Sequence, residues 1–224
     1  MFGSPTETRK ITLDLLRHGE PEGGVRYRGS IDDPLSATGW QQMRHATAHA
    51  MAPKTPTPGT TWNTIISSPM RRCQEYAREL ADQCNLPISI EPDLKELCFG
   101  DLEGLTPRQA WEQHPQLLQA LWQDPEQTTP PGGEPYREFM QRVAGCLERI
   151  IHARSAKQES KHYLLVIHGG VIRATLSHFL NIAPADSFRI EVPYAGITRL
   201  KLYIEADGTY NAALSFINRF TGDS

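Results

Sequence analysis

The sequence predicts an α/β fold: a single domain over residues 1–224, built as a three-layer α/β/α sandwich on a mostly parallel sheet. Three observations predict it. Short apolar runs rich in β-formers alternate with longer segments of helical period. The length of 224 residues suits one generous core, with no apolar run long enough to span a bilayer. Three polar pairs, Arg17-His18, Ser67-Ser68 and His168-Gly169, close predicted strands, where such sheets place their ligands.

Taken in order, residues 1–10 read as a flexible tail, and Ile11 to Leu16 as a buried strand running into RHGE and a glycine-rich loop. A helix follows. Thr38 and Gln41 suggest a capping box, and Trp40, Met43, Thr47 and Met51 recur at helical spacing. Residues 52–61 form a Pro/Thr-rich loop, and Thr64 to Ser67 a second buried strand. The next helix starts at SSPMRR, with Ser68 as N-cap and Pro69 in the first turn. LPISIEPDL gives a third strand, placed near an edge by its prolines. Residues 97–135 read as an irregular cap with a short helix opened by Thr106-Pro107 and closed before Pro115. Phe139, Val143, Leu147, Ile150 and Ile151 make an amphipathic helix. Tyr163 to His168 is a fourth strand, followed by a helix over Val171 to Leu180. Asp207-Gly208, between alternating runs, signals a terminal hairpin.

Bulk properties exclude several classes. A formal net charge of −3 gives no general attraction to nucleic acid or anionic membrane, so anion binding must come from a local cation cluster. The four cysteines, at 73, 84, 98 and 146, form no CxxC pair, which suits a reduced protein of the cytoplasm. The first residues lack an apolar stretch, so no secretory leader is expected. A homodimer stays open.

The strand-end residues carry the chemistry. Arg17, Arg72 and His168 are cations or donors, and helices that start beside them add backbone N–H groups and positive dipole. Such a cluster suits a dianion. The glycines of RHGEPEGG would let backbone approach it closely. A histidine among these cations would be held neutral, and a neutral imidazole is a nucleophile. Phosphoryl transfer needs mainly positioning and charge stabilisation.

These residues resemble the histidine phosphatase superfamily, which includes phosphoglycerate mutases. Leu16-Arg17-His18-Gly19-Glu20 is similar to its RHG signature. The tripeptide is weak alone, but four further segments follow in the family's order. RYRGSIDDPLSATG resembles the G-x-x-D-x-P-L-T-x-x-G loop, and SSPMRRCQEYA the S-P-L-x-R-A-x-Q-T-A helix start. LKELCFGDLEGL resembles the E-x-x-x-G-x-x-E-G segment, and VIHGGVIR the second-histidine turn. The resemblance covers about residues 11–205. It implies that His18 becomes phosphorylated, that Arg17, Arg72 and His168 bind phosphoryl oxygens, and that Glu96 donates the leaving-group proton and then activates water. Backbone N–H groups near Gly169 would help hold phosphate. No metal and no organic cofactor are implied.

The family arginine lies four residues after the serine, which selects Arg72 rather than Arg71. Helical geometry agrees: Cys73, Ala77, Leu80 and Cys84 form the core stripe, Arg71 points nearly opposite, and Arg71 and Glu75 are spaced as a solvated i, i+4 pair. The sequence departs from the family where Pro21 and Gly24 replace a usual Thr and Asn. Arg28, where relatives carry a neutral residue, could supply a substitute cation for substrate binding.

Other features have bland readings. His45 and His49 have metal-ligand spacing but no carboxylates beside them, as on a solvated face. Cys73, Cys84 and Cys146 fall on apolar stripes. Glu134 should serve the start of the following helix. Trp111 and Trp122 should pack the cap, although they and Phe99 also offer stacking surfaces.

The expected function is hydrolysis of a small phosphate ester. The RHGEP start and FGDLEG segment resemble the α-ribazole phosphatase branch, which acts late in cobalamin assembly. That makes α-ribazole-5′-phosphate the leading substrate. Phosphoglycerate mutase, broad-specificity sugar phosphatase and a phospholigand-binding pseudoenzyme are the alternatives.

Overall fold

The computed structural model describes residues 8–51, 62–152 and 160–219, with the backbone alone at 49–51. Its strands are β1 (Arg9–Arg17), β2 (Thr64–Ser67), β3 (Ile88–Ile90), β4 (Lys161–Ile167), β5 (Ile197–Ile204) and β6 (Tyr210–Arg219). They form one sheet in the order β3-β2-β4-β1-β5-β6. The first four run parallel, while β5 is antiparallel to β1 and β6 to β5. The helices are α1 (Ala37–Met51), α2 (Arg71–Cys84), α3 (Pro107–Gln113), α4 (Pro115–Gln123), α5 (Tyr136–His152), α6 (Gly169–Leu180) and α7 (Pro184–Ser187).

Strand alternation sorts the helices into two layers. Leu13, Leu15, Leu165 and Ile167 pack with Phe139 and Val143 of α5 and Val171 and Leu176 of α6. Leu16, Ile65, Leu164 and Val166 pack on the other face with Met43 of α1 and Cys73, Tyr76 and Leu80 of α2. The α/β three-layer expectation therefore holds, with the antiparallel pair β5–β6 at one edge. Residues 97–135 contain α3, α4 and a small apolar cluster around Leu102, Ala110 and Leu118.

Asp14 is buried on the α1/α2 face. It accepts from Trp62 Nε1 (2.8 Å), His162 Nε2 (2.9 Å) and Arg199 Nε and Nη2 (2.6 and 2.8 Å). Burial opposes ionisation, but the hydrogen bonds from Arg199 and His162 outweigh it and hold this carboxyl at about 2. The network ties β1 to its two neighbours in the sheet, β4 and β5.

Several expectations need correction. The sequence predicts a tail over residues 1–10, yet Arg9 and Lys10 belong to β1, because β5 reaches far enough to pair them with Ile204 and Tyr203; residues 1–7 lie outside the described residues. Helix α1 is capped by Ser36, whose Oγ accepts from the Gly39 amide at 3.0 Å, not by Thr38. The Pro/Thr-rich loop at 52–61 lies outside the described residues. Thr106 and Gln109 do form a capping box on α3. The sequence predicts Pro115 only as a stop, but it opens α4, since proline suits a first helical turn as well as it ends a preceding one.

Candidate active site

The carboxyl ends of β1, β2 and β4 meet the start of α6 around one cavity of about 200 Å³. Its wall includes Arg17, His18, Arg28, Arg72, Glu96 and Gly169. Six of the seven residues expected at the site thus share one wall. His168, the seventh, is fully buried behind it, with its ring centroid 5.2 Å from that of His18.

His18 follows β1 directly and is only 5% exposed. Its Nδ1 lies 2.7 Å from the Gly19 carbonyl oxygen. A carbonyl can only accept, so the proton sits on Nδ1 and the lone pair of the neutral ring is on Nε2. Burial pushes the His18 pKa well below its ordinary value, and Arg17 and Arg72 push it the same way. The ring is therefore neutral at pH 7, as a nitrogen nucleophile requires. The next residue is glycine for a steric reason: a Cβ on Gly19 would lie 2.3 Å from the Gly39 carbonyl oxygen at the start of α1.

Arg72 is 1% exposed in the first turn of α2. It donates to the Ile31 and Gly29 carbonyls at 2.7 and 3.1 Å. Arg17 donates to the Val192 carbonyl and lies 4.2 Å from the Tyr194 ring centroid. The Nε groups of both Arg17 and Arg72 are buried without a hydrogen-bond partner. Buried guanidinium donors are normally satisfied, and two orphans on one cavity mark a place for an anion. Arg71, by contrast, is exposed and pairs with Glu75 at 2.7 Å, as its helical position predicted.

Arg28 is fixed by Asp33 at 3.0 Å and by the carbonyls of Glu22 and Gly24. The glycine-rich loop thus acts differently from expectation. Gly23 and Gly24 adopt positive φ, do not line the cavity, and present their carbonyls to Arg26 and Arg28 respectively rather than amides to a ligand. Gly169, the first residue of α6, lines the cavity with Gly170.

Glu96 reaches the cavity from the loop after a 3-10 turn at Pro92–Leu94. Its Oε1 accepts from the Leu97 amide and its Oε2 from the Gly170 amide, both at 3.0 Å. Behind it, Arg142 of α5 donates to the carbonyls of Asp93 (2.7 Å), Lys95 (2.8 Å) and Glu96 (3.1 Å). Glu134 holds Arg142 through both carboxylate oxygens, at 2.6 and 2.8 Å. Glu134 therefore does not serve a helix start; it anchors the arginine that grips the Glu96 loop.

The cavity wall gathers five arginines, the expected Arg17, Arg28 and Arg72 together with Arg26 and Arg173, against one carboxylate, Glu96. Such a concentration of cations in a chain of net charge −3 explains how an acidic protein can hold a dianion. Among the described residues, no group of three His, Cys, Asp or Glu side chains could hold a metal. The His49 side chain lies outside the described residues.

A model of the histidine phosphatase superfamily (branch 1) matches residues 13–210. The chain belongs to this family. It is a hydrolase of the phosphatase type. Over 188 residues it is 29% identical to the adenosylcobalamin/alpha-ribazole phosphatase of Escherichia coli K12, covering 81% of this chain and 86% of that one. It is 30% identical to a 2,3-bisphosphoglycerate-dependent phosphoglycerate mutase of Rhizobium etli over 193 residues, 84% and 88% of the two chains. A solved mycobacterial glucosyl-3-phosphoglycerate phosphatase complexed with VO3 shares the fold, with a TM-score of 0.79 at 24% identity over 94% and 99% of the two chains.

Other site residues were not found from the sequence. The sequence predicts Ser68 as a helix cap, but α2 starts at Arg71 and the Ser68 hydroxyl lies 2.7 Å from His168 Nε2. The Met70 amide donates to the same oxygen at 3.3 Å. Burial, Arg72 and His18 push the His168 pKa well below its ordinary value. Arg173 had a signal in its spacing: it follows Gly169 by one helical turn, so both face the cavity. Tyr136 and Tyr194 had none. Trp111, expected to pack the cap, is 55% exposed and lines no part of this cavity. Trp122, also expected to pack, is 59% exposed, with its ring centroid 6.2 Å from that of Phe188.

Proposed function

We propose that the protein hydrolyses a small phosphate monoester through a phosphohistidine on His18. The observation that carries this reading is the pairing of a neutral His18, with its lone pair on Nε2, and two orphan guanidinium donors on the same cavity. Arg17 and Arg72 take the phosphoryl oxygens, assisted by His168 and the Gly169 amide. Arg28 supplies a further positive charge where the Asn usual in the family is replaced by Gly24. Nε2 attacks phosphorus, the bond to the ester oxygen breaks, and Glu96 gives that oxygen a proton. Water then attacks phosphorus, the P–N bond breaks, and the Glu96 carboxylate takes the water's proton. Every step uses side chains of this chain and needs no metal.

Residues 97–135 act in this reading as the cap of a single domain. The four free cysteines suit a reducing compartment, and the cytoplasm is the proposed location. Among the described residues, no helix is long and apolar enough to cross a membrane.

The favoured substrate is α-ribazole-5′-phosphate, supported by the similarity to the Escherichia coli phosphatase and by the RHGEP and FGDLEG segments. The similarity to the Rhizobium mutase supports a second reading, transfer between hydroxyls of phosphoglycerate. One panel separates them: kcat/KM for α-ribazole-5′-phosphate, 3-phosphoglycerate, fructose phosphates and p-nitrophenyl phosphate, with both free phosphate and 2-phosphoglycerate measured. The reading expects phosphate release, with the ribazole ester preferred by about tenfold or more, ~1.4 kcal/mol of differential transition-state binding. Formation of 2-phosphoglycerate faster than phosphate would favour the mutase.

A further inference from the structure

Beside the phosphate cavity lies a second one, of about 190 Å³ and different character. Leu118, Leu121 and Trp122 of α4 line it, and it shares Phe99, Tyr136 and Phe188 with the phosphate cavity. An apolar cavity of roughly 150 Å³ takes up one benzene ring, so this chamber matches a single or small fused ring. Trp122 leaves more than half of its surface exposed, although burying an indole is among the larger apolar gains open to a side chain. The dividing wall carries a polar handle. Tyr136 is 4% exposed, and its hydroxyl is buried without a hydrogen-bond partner. A buried phenol leaves its O–H unpaired at a cost, unless a ligand supplies an acceptor.

Resting on the phosphatase reading above, we infer that the leaving group is ring-bearing: its ring occupies the chamber against Trp122 and Phe188, and an oxygen between ring and phosphate meets the Tyr136 hydroxyl. The walls disfavour a polyhydroxylated leaving group. Thr128, Glu134 and Arg173 also line the chamber, but both Glu134 oxygens are taken by Arg142 and Arg173 Nε by the Ile190 carbonyl. Glycerate or a hexose placed there would therefore exchange water mainly for leucine and aromatic surface.

The test compares 2-phenoxyethyl phosphate with 2-ethoxyethyl phosphate, which lacks the ring, and with glycerol 3-phosphate. The inference expects kcat/KM at least about tenfold higher for the phenoxy ester than for either, equivalent to ~1.4 kcal/mol. In Trp122→Ala, a change at an exposed position that leaves the core intact, the phenoxy-to-ethoxy ratio should fall at least about fivefold. Tyr136→Phe should reduce kcat/KM for the phenoxy ester more than for 3-phenylpropyl phosphate, which carries carbon in place of the ether oxygen. Equal rates on the three esters, or a ratio unmoved by Trp122→Ala, would overturn the chamber's role while leaving the phosphatase reading standing. Absence of turnover on every ester would overturn that reading, and the inference with it.

Discussion

The Gly170 amide donates to Glu96 Oε2 at 3.0 Å, so the first turn of α6 fixes a carboxylate carried by a distant loop. The contact needs a glycine. A Cβ at position 170 would lie 2.3 Å from Glu96 Oε1. The obstructed atom ends a flexible side chain, so in Gly170→Ala the carboxylate should swing away while the fold adjusts. We expect kcat to fall by about 10- to 100-fold, the scale of a displacement near 1 Å in a catalytic group. The melting temperature should stay within about 5 °C of wild type. A large thermal loss with normal kcat per folded molecule would show that Gly170 serves packing alone.

Arg142 holds the same loop from behind through three carbonyls, so it positions Glu96 without touching substrate. Arg142→Met should lower kcat more for an alkyl phosphate, whose leaving oxygen needs a proton, than for p-nitrophenyl phosphate, whose leaving group departs as a stable anion. The gap should be about tenfold. An equal loss on both esters would reduce Arg142 to a structural strut.

Arg72 and Arg71 are neighbours with opposite fates. Arg72→Lys removes the orphan Nε donor but keeps the charge, and should cost about 2–4 kcal/mol in kcat/KM, as for a lost oxyanion donor. Arg71→Ala should leave kcat/KM within about twofold, since its pair with Glu75 is exposed. The reverse ranking would place the phosphate-binding arginine one residue earlier.

The sheet predicts its own acid limit. Asp14 titrates at about 2 in the fold against an ordinary value of 3.8. A depressed carboxylate stabilises the fold above the unfolded value, and that contribution disappears as pH falls from about 4 through 2. The difference is worth about 2 kcal/mol. At neutral pH Asp14→Asn should be less stable by about 3 kcal/mol, because Arg199 and His162 lose a buried partner. The deficit relative to wild type should narrow by about 2 kcal/mol between pH 5 and pH 2 in denaturant melts. A constant deficit would mean that the network is not electrostatic.

Much of the site was legible because strand ends are legible. An apolar β-rich run closing on Arg17-His18, and another closing on His168-Gly169, fix both location and chemistry. Arg72 could be separated from Arg71 because a helix turns each residue by a known angle. What stayed hidden depended on long-range packing. Ser68 looks like a cap in any local reading, and only the pairing of β2 with β4 brings it to His168. Glu134 follows two glycines ahead of a helix, and nothing local tells that Arg142 will claim both of its oxygens. Tyr136 and Phe188 reach one wall from segments about 50 residues apart, a meeting that periodicity cannot announce. The second cap helix was lost because Pro115 fits a stop and a start equally well.

The central claim is that His18 Nε2 carries the phosphoryl group. Rapid quenching after mixing with a labelled phosphomonoester, followed by peptide mapping, tests it most directly. The account predicts acid-labile, base-stable label on the peptide containing His18, absent in His18→Ala, whose turnover should fall by at least about a thousandfold. Label on any other residue, or an alanine variant that keeps most of the wild-type rate, would contradict it.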